Sequence, residues 1–178
     1  WLRDHAGQSA DTNELVEIFN SGAAPVDLAN MVLVLINGNG NAEYNRVDLS
    51  SMGTLLPGEY LVVGSTTLLA TLPAALKKLA FAAAQDNVQN GAPGAPDALG
   101  IVDLSTGSLL DALSYEGSVT AGNVNGVGAL NFVEGTATGV ADSTTVAGSL
   151  SRQPNGRDTD NAASDWMFAT TPTPGQAN

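Results

Sequence analysis

The apolar residues of this chain occur in short runs that glycine, proline and asparagine interrupt repeatedly. No unbroken run exceeds six residues, the length of the run at residues 31–36. Short runs bounded by turn-forming residues are typical of antiparallel β proteins, and a helical domain would show longer stretches with helical spacing. A run of six is also far below the roughly 20 apolar residues that a membrane-spanning helix needs. The sequence therefore predicts an all-β fold without membrane insertion.

Several segments have the pattern of individual strands. Residues 14–20 alternate with a period of two, and residues 60–63 form a buried apolar segment after a Pro-Gly turn. The run that ends residues 26–38 is too continuous for a half-exposed strand, so we expect that strand to lie centrally with both faces covered. Residues 99–117 contain two apolar runs joined by Ser-Thr-Gly, which predicts a hairpin.

The other segments are less regular. Ser65-Thr66-Thr67 can cap a helix, and the apolar spacing that follows predicts one short helix near residues 67–78, limited by Pro73. Three stretches rich in turn-forming residues are predicted to be long loops that present adaptable surfaces. They are residues 37–46, 84–98 and 117–144.

Composition narrows the classes of partner. Eighteen acidic residues against six basic ones give a formal charge of −12, which repels nucleic-acid phosphates and anionic lipids. Direct nucleic-acid binding is therefore not expected, whereas the negative electrostatic field of the chain attracts metal cations. The chain has no cysteine, which removes disulfides, thiolate zinc sites and cysteine nucleophiles. A length of 178 residues with 43% hydrophobic residues is consistent with a single domain over residues 1–178.

The order of several motifs resembles the lamin tail domain family, in the type found in secreted bacterial proteins. The motifs are "DTNELVEIFNSGAAPVDL", "LLPGEYLVV", "GIVDLSTGSLLDALSYEG" and "SLSRQPNGRDTDNAASDW" with "PTPGQAN". The resemblance spans most of the chain. It implies an immunoglobulin-like antiparallel β-sandwich with long loops and one short helix, in a protein that is extracellular, at the cell surface or periplasmic.

The resemblance also implies a class of function. The first expectation is a non-catalytic binding or anchoring module of an exported bacterial protein, whose loops recognise a protein or a glycan. The alternative is an accessory domain that localises a secreted nuclease or phosphoesterase to its substrate or to the cell surface. A third class, a hydrolase that uses calcium and carboxylates, would require a carboxylate cluster in a deep pocket.

The acidic loop near the C-terminus has two interpretations. Asp158, Asp160, Asn161 and Asp165 could supply oxygen ligands to calcium, which takes six to eight hard oxygens. The loop lacks the glycine and glutamate positions of an EF-hand. In the alternative interpretation the aspartates hydrogen-bond within their own turn, and Asp165 ends the turn before the last strand.

A second acidic cluster lies near the N-terminus. It comprises Asp4, Asp11 and Glu14, with Asp86, Asn87 and Asn90 as candidate neighbours in space. Calcium binding and ordinary solvated turns are again the two alternatives.

Two further residues bear on chemistry. His5 is the only histidine, and without a Gly-x-Ser-x-Gly elbow a catalytic triad is not expected. Glu17 lies between Val16 and Ile18 in an apolar strand, so we expect it to need a buried partner. Arg152, on a late strand, is the candidate.

Overall fold

A computed structural model gives the structure of the protein. It describes residues 2–3, 12–89, 95–141 and 146–178. The strands are β1 (Leu2–Arg3), β2 (Leu15–Phe19), β3 (Val26–Asp27), β4 (Met31–Asn37), β5 (Ala42–Asp48), β6 (Thr54–Leu55), β7 (Tyr60–Gly64), β8 (Lys77–Ala80), β9 (Asp97–Asp103), β10 (Ser108–Tyr115), β11 (Gly122–Val124), β12 (Gly128–Leu130), β13 (Ser149–Arg152) and β14 (Trp166–Ala169). The short helices are a 3₁₀ turn (Ser50–Met52), α1 (Thr66–Leu69) and α2 (Ala162–Asp165).

The strands form two six-stranded sheets that pack as a sandwich. The first sheet has the order β14-β13-β1-β2-β7-β8, and the second has the order β10-β9-β4-β5-β11-β12. Strands β3 and β6 make a separate two-stranded pair. Most pairs are antiparallel, with parallel pairing between β7 and β8 and between β5 and β11. The predicted all-β, sandwich-like fold is confirmed.

The central position of β4 follows from its composition. Its five middle residues, 32–36, are buried, and it pairs with β9 on one side and β5 on the other. Alternate residues face different packing layers: Leu33 and Leu35 enter the core between the sheets, and Val34 lies in a cluster on the outer face. A strand covered on both faces needs an unbroken apolar run, so this prediction is confirmed.

The main core fills the space between the two sheets. It takes side chains from β2, β7 and β13 of the first sheet and from β4, β9 and β10 of the second. Tyr115 and Leu150 are among its largest buried members. Burial of this apolar area is the main stabilising term, at about 25 cal/mol per Å².

The helix prediction for residues 67–78 is wrong in extent. Ser65 caps α1 as expected, with its side chain accepting from the amide of Leu68, but the helix ends at Leu69. Residues 77–80 are strand β8, parallel to β7. Pro73 cannot donate a helical hydrogen bond, and the open edge of β7 offers the chain a ladder beyond it.

The predicted loops are also more ordered than expected. Residues 42–46 of the predicted loop 37–46 belong to β5, residues 97–98 at the end of the predicted loop 84–98 begin β9, and β11 and β12 make a hairpin within the stretch 117–144. Strands β9 and β10 confirm the hairpin predicted over residues 99–117. Asparagine and glycine mark the turns between these short strands, and their density hides the strands from a sequence pattern. None of the helices in the described part of the chain has the length and apolar character to cross a membrane.

Candidate functional site: an acidic seam around Arg152

Arg152 lies at one side of the sandwich, where the edges of the two sheets approach each other. We call this region the seam. It is formed by β10 at the edge of the second sheet, by β13 and β14 of the first, by residues 131–136 and by residues 153–165. The amides of Ala162 and Ala163 donate to the carbonyls of Glu134 and Thr136, at 3.0 and 2.9 Å, so the segment 131–136 closes the seam.

One guanidinium group holds the seam together. Arg152 Nη2 donates to Asp111 Oδ1 at 2.6 Å and to Glu134 Oε2 at 2.9 Å. Its Nη1 donates to Asp158 Oδ1 at 2.9 Å and to Asp165 Oδ2 at 3.3 Å. The side chain of Arg152 is 10% exposed, and its guanidinium carbon lies 5.1 Å from the centroid of the Trp166 ring. Four carboxylates and an aromatic face therefore compensate its desolvation.

Asp165 is the most completely bonded of these carboxylates. Its side chain is fully buried, and it accepts from Thr159 N at 2.7 Å, Thr159 Oγ1 at 2.9 Å and Arg157 Nε at 3.1 Å as well as from Arg152. Burial opposes ionisation, but the hydrogen bonds from Thr159 and the charge of Arg152 outweigh it and lower the pKa of Asp165. Asp165 is thus an ionised structural anchor.

Glu134 has the opposite electrostatic environment. Its side chain is 14% exposed, and it shares a single nitrogen of Arg152 with Asp111. Desolvation and the neighbouring charge of Asp111 raise the pKa of Glu134 to about 7. Its Oε1 also accepts from the backbone amide of Ala112 at 3.0 Å. Glu134 therefore tends to hold a proton near neutral pH.

The residues of the predicted calcium site do not converge on one common point. Asp158 and Asp165 both bind Arg152, and Asp158 Oδ1 also accepts from the amide of Asp160 at 3.1 Å, as an Asx turn does. Oxygens of Glu134, Asp158 and Asp160 lie within 4.8 Å of one another. Arg152 binds one oxygen of Glu134 and one of Asp158, so a cationic side chain already occupies part of this cluster. The geometry supports the turn interpretation, and calcium binding stays a prediction.

The second predicted cluster is brought together in part. Glu14 is fully buried, and it accepts from Asn87 Nδ2 at 2.9 Å and from the amide of Val88 at 2.7 Å. Tyr44 and Tyr115 hold the next residue, Gln89, by its amide and its carbonyl. Residues 87–89, part of a predicted adaptable loop, are therefore pinned to the sandwich. Asp4, His5, Asp11 and Asn90 lie outside the described residues.

The predicted pairing of Glu17 with Arg152 is wrong. Val16 and Leu150 both lie opposite Leu2 in the sheet register, so they share a face. Arg152 is two residues from Leu150 and lies on that inner face, whereas Glu17 follows Val16 and lies on the outer one. There Glu17 accepts a hydrogen bond from the amide of Gly175.

A pocket of about 130 Å³ opens beside the Arg152 cluster. Its apolar lining comes from both sheets and includes Val16, Ile18, Leu99 and Leu113. Its polar lining comprises Glu17, Ser21, Asp111, Arg152, Asn155, Asp158 and Asn178. Asp111 and Asp158 are 43% and 42% exposed, so the pocket combines an apolar floor with an acidic entrance.

Trp166 also lines this pocket, and its indole N–H is unsatisfied. Trp166 is 8% exposed, and Nε1 is buried without a hydrogen-bond partner in the part of the chain that the structure describes. A buried donor without a partner costs about 1–3 kcal/mol, and native structures seldom retain one without a reason.

A shallower apolar groove adjoins the pocket and extends it toward one end of the sandwich. The two share residues Ile18, Phe19, Ser21 and Ile101. Leu110, at the bulge of edge strand β10, lines this groove and is 51% exposed. An exposed large side chain beside an apolar groove is a common feature of recognition surfaces.

The sequence pattern did not reveal Asp111 and Glu134 as members of the site. One signal was available: basic residues are few, and an arginine in a core strand requires nearby carboxylates. It could not say which of eighteen acidic residues would be near, since Asp111 and Glu134 lie 41 and 18 residues from Arg152 along the chain.

Fold and site together define an all-β, sandwich-like protein with an acidic pocket between its sheets. None of the known family models, curated proteins or solved structures is recognisably similar to this chain. The resemblance to lamin tail domains therefore depends on the sequence motifs and stays a prediction.

Proposed function

We propose that the chain is a non-catalytic binding module of an exported bacterial protein, and that its ligand binds in the pocket of the seam. The observation that carries the proposal is Trp166, a residue that lines the pocket and whose buried indole N–H has no hydrogen-bond partner in the described residues. A ligand carbonyl or hydroxyl oxygen would accept from it. The exported origin depends on the lamin tail resemblance only.

The carboxylates of the seam are arranged for support more than for reaction. Asp165 is fully occupied by donors, and Asp111 and Glu134 converge on the same nitrogen of Arg152. A general acid and a general base need room for substrate or water between them. Carboxylates held by a buried guanidinium do not leave that room, which supports binding without turnover.

Nuclear magnetic resonance can test the site directly. The chain has two tryptophans, so ¹⁵N-labelled protein gives two indole N–H signals, and Trp166→Phe identifies the signal of Trp166. The probes are N-acetylated dipeptide amides and methyl glycosides, which supply carbonyl and hydroxyl oxygens without charge. We expect at least one class to shift the Trp166 signal and residues of β10, with binding weakened about tenfold in Trp166→Phe, a loss typical of one hydrogen bond.

Two results would count against this function. If neither class shifts the Trp166 signal, or if shifts fall only on the β11–β12 hairpin, the pocket is not the binding site. If the isolated chain hydrolyses chromogenic phosphodiesters or glycosides, and Asp111→Asn abolishes that turnover, the module is an enzyme.

A further inference from the structure

We infer that the partner of this pocket is an extended basic segment of another protein, which inserts an arginine or lysine side chain at the acidic entrance and an apolar side chain into the adjoining groove. This inference rests on the proposed binding function and names its partner class. Three independent features of the surface support it: its charge, its shape and its unsatisfied donor.

Charge selects a cationic partner. Five carboxylates surround two guanidinium groups in the seam, so negative charge remains in excess even when Glu134 carries a proton. The carboxylates are Asp111, Glu134, Asp158, Asp160 and Asp165, and the guanidinium groups belong to Arg152 and Arg157. The whole chain adds a field of −12 formal charges, which attracts cations and speeds their encounter. A neutral glycan would gain nothing from this field.

Shape selects an extended chain. The pocket and the groove share four lining residues, so together they form one elongated depression along the edge of the sandwich. Asp111, at the acidic end, and Leu110, at the apolar end, are neighbours on edge strand β10. Side chains two residues apart in an extended peptide point the same way and lie about 7 Å apart, which lets one peptide reach both ends.

The unsatisfied donor selects a peptide backbone. An extended peptide presents carbonyl oxygens at every residue, and one of them can accept from Trp166 Nε1 while a neighbouring side chain reaches Asp111 or Asp158. Guanidinium groups bind carboxylates through two parallel hydrogen bonds, so arginine should be preferred to lysine.

Matched peptides separate charge from shape. The probes are acetylated, amidated hexapeptides with leucine two residues from a central arginine, citrulline or glutamate. Citrulline keeps the size and planarity of arginine without its charge. We expect the arginine peptide to bind at least about tenfold more tightly than the citrulline peptide, with the difference shrinking as salt is raised from 0.05 to 0.5 M, as roughly expected for partly exposed charges. The glutamate peptide should bind most weakly.

Protein variants locate the charge effect. Asp111→Asn with Asp158→Asn should remove the preference for arginine over citrulline. Asp48→Asn with Asp103→Asn changes the net charge by the same amount outside the seam, at exposed Asp48 and half-buried Asp103, and should leave the preference intact. Thermal melting of each variant shows that the fold is retained, and the single Asp158→Asn variant serves if the double variant is unstable.

The outcomes separate this inference from the proposed function. Equal binding of the arginine and citrulline peptides, or an arginine preference that survives Asp111→Asn with Asp158→Asn, would overturn the basic partner. If neutral glycosides shift the Trp166 signal while no peptide does, the pocket is still a binding site and the partner is a glycan. If no probe reaches Trp166, both proposals fail together.

Discussion

Replacing Arg152 with methionine tests the structural role that the seam assigns to this side chain. Methionine keeps most of the volume but removes the only guanidinium group that contacts Asp111, Glu134, Asp158 and Asp165 together among the described residues. Removing one partner of a buried ion pair costs about 3–5 kcal/mol, because the other charges stay buried without compensation. Asp111 and Asp158 are partly exposed and can be rehydrated, so we expect the lower end, about 3 kcal/mol.

The assay is thermal and urea unfolding of Arg152→Met beside Arg46→Met. Arg46 binds a single carboxylate, Glu43, at 2.7 Å within one sheet, and the two side chains are 28% and 5% exposed, so its loss should cost less than that of Arg152, about 1–2 kcal/mol. For a chain of this size each kcal/mol lowers the melting temperature by about 2–4 °C, which predicts a fall of roughly 6–12 °C for Arg152→Met. Equal melting temperatures for the two variants would refute the structural role assigned to Arg152.

Three other outcomes are expected. Because the pKa of Glu134 is raised to about 7, the folded protein keeps a proton that the unfolded chain releases near the ordinary glutamate pKa. The resulting stability is complete below that ordinary pKa and is lost as the pH rises through about 7. Urea unfolding of Glu134→Gln across this pH range should lack this dependence, a difference of roughly 1–2 kcal/mol after screening. Melting curves in millimolar calcium and in chelator should coincide, because Arg152 already occupies Asp158 Oδ1 and Glu134 Oε2. A calcium-dependent rise that Asp160→Asn abolishes would instead establish the metal site. Glu14→Gln should destabilise the fold by about 1–3 kcal/mol and expose residues 82–89 to limited proteolysis, since the glutamine NH2 cannot accept one of the two hydrogen bonds that Asn87 Nδ2 and Val88 N donate to Glu14. A variant whose loop resists the protease as well as the wild type does would contradict the anchoring role of Glu14.

Much of the fold could be predicted because its signals are local. The alternation in β2, the continuous apolar run of β4 and the Ser-Thr-Gly turn between β9 and β10 each lie within a few neighbouring residues. The predicted end of the helix near residue 78 was wrong because a long-range contact intervened. Residues 77–80 pair in parallel with β7, which lies more than a dozen residues earlier. Local propensity cannot register an available sheet edge.

The candidate site could be predicted only in part, for the same physical reason. Asp158 and Asp165 were recognised because they stand close together in an acidic loop. Asp111 and Glu134 were missed because sheet order alone brings them to Arg152. Glu17 was assigned to Arg152 because both are charged residues in apolar strands, yet a difference of one residue in register sends them to opposite faces.

The sequence by itself determined an all-β chain with a strongly acidic surface, because strand periodicity, turn chemistry and net charge are properties of neighbouring residues and of composition. The tertiary structure decided which carboxylates share Arg152 and which of them holds a proton near neutral pH. It also decided that Trp166 lines a pocket and that its indole N–H is buried without a hydrogen-bond partner among the described residues. Those properties depend on burial and on distances between residues far apart in the chain, and packing of the two sheets fixes both.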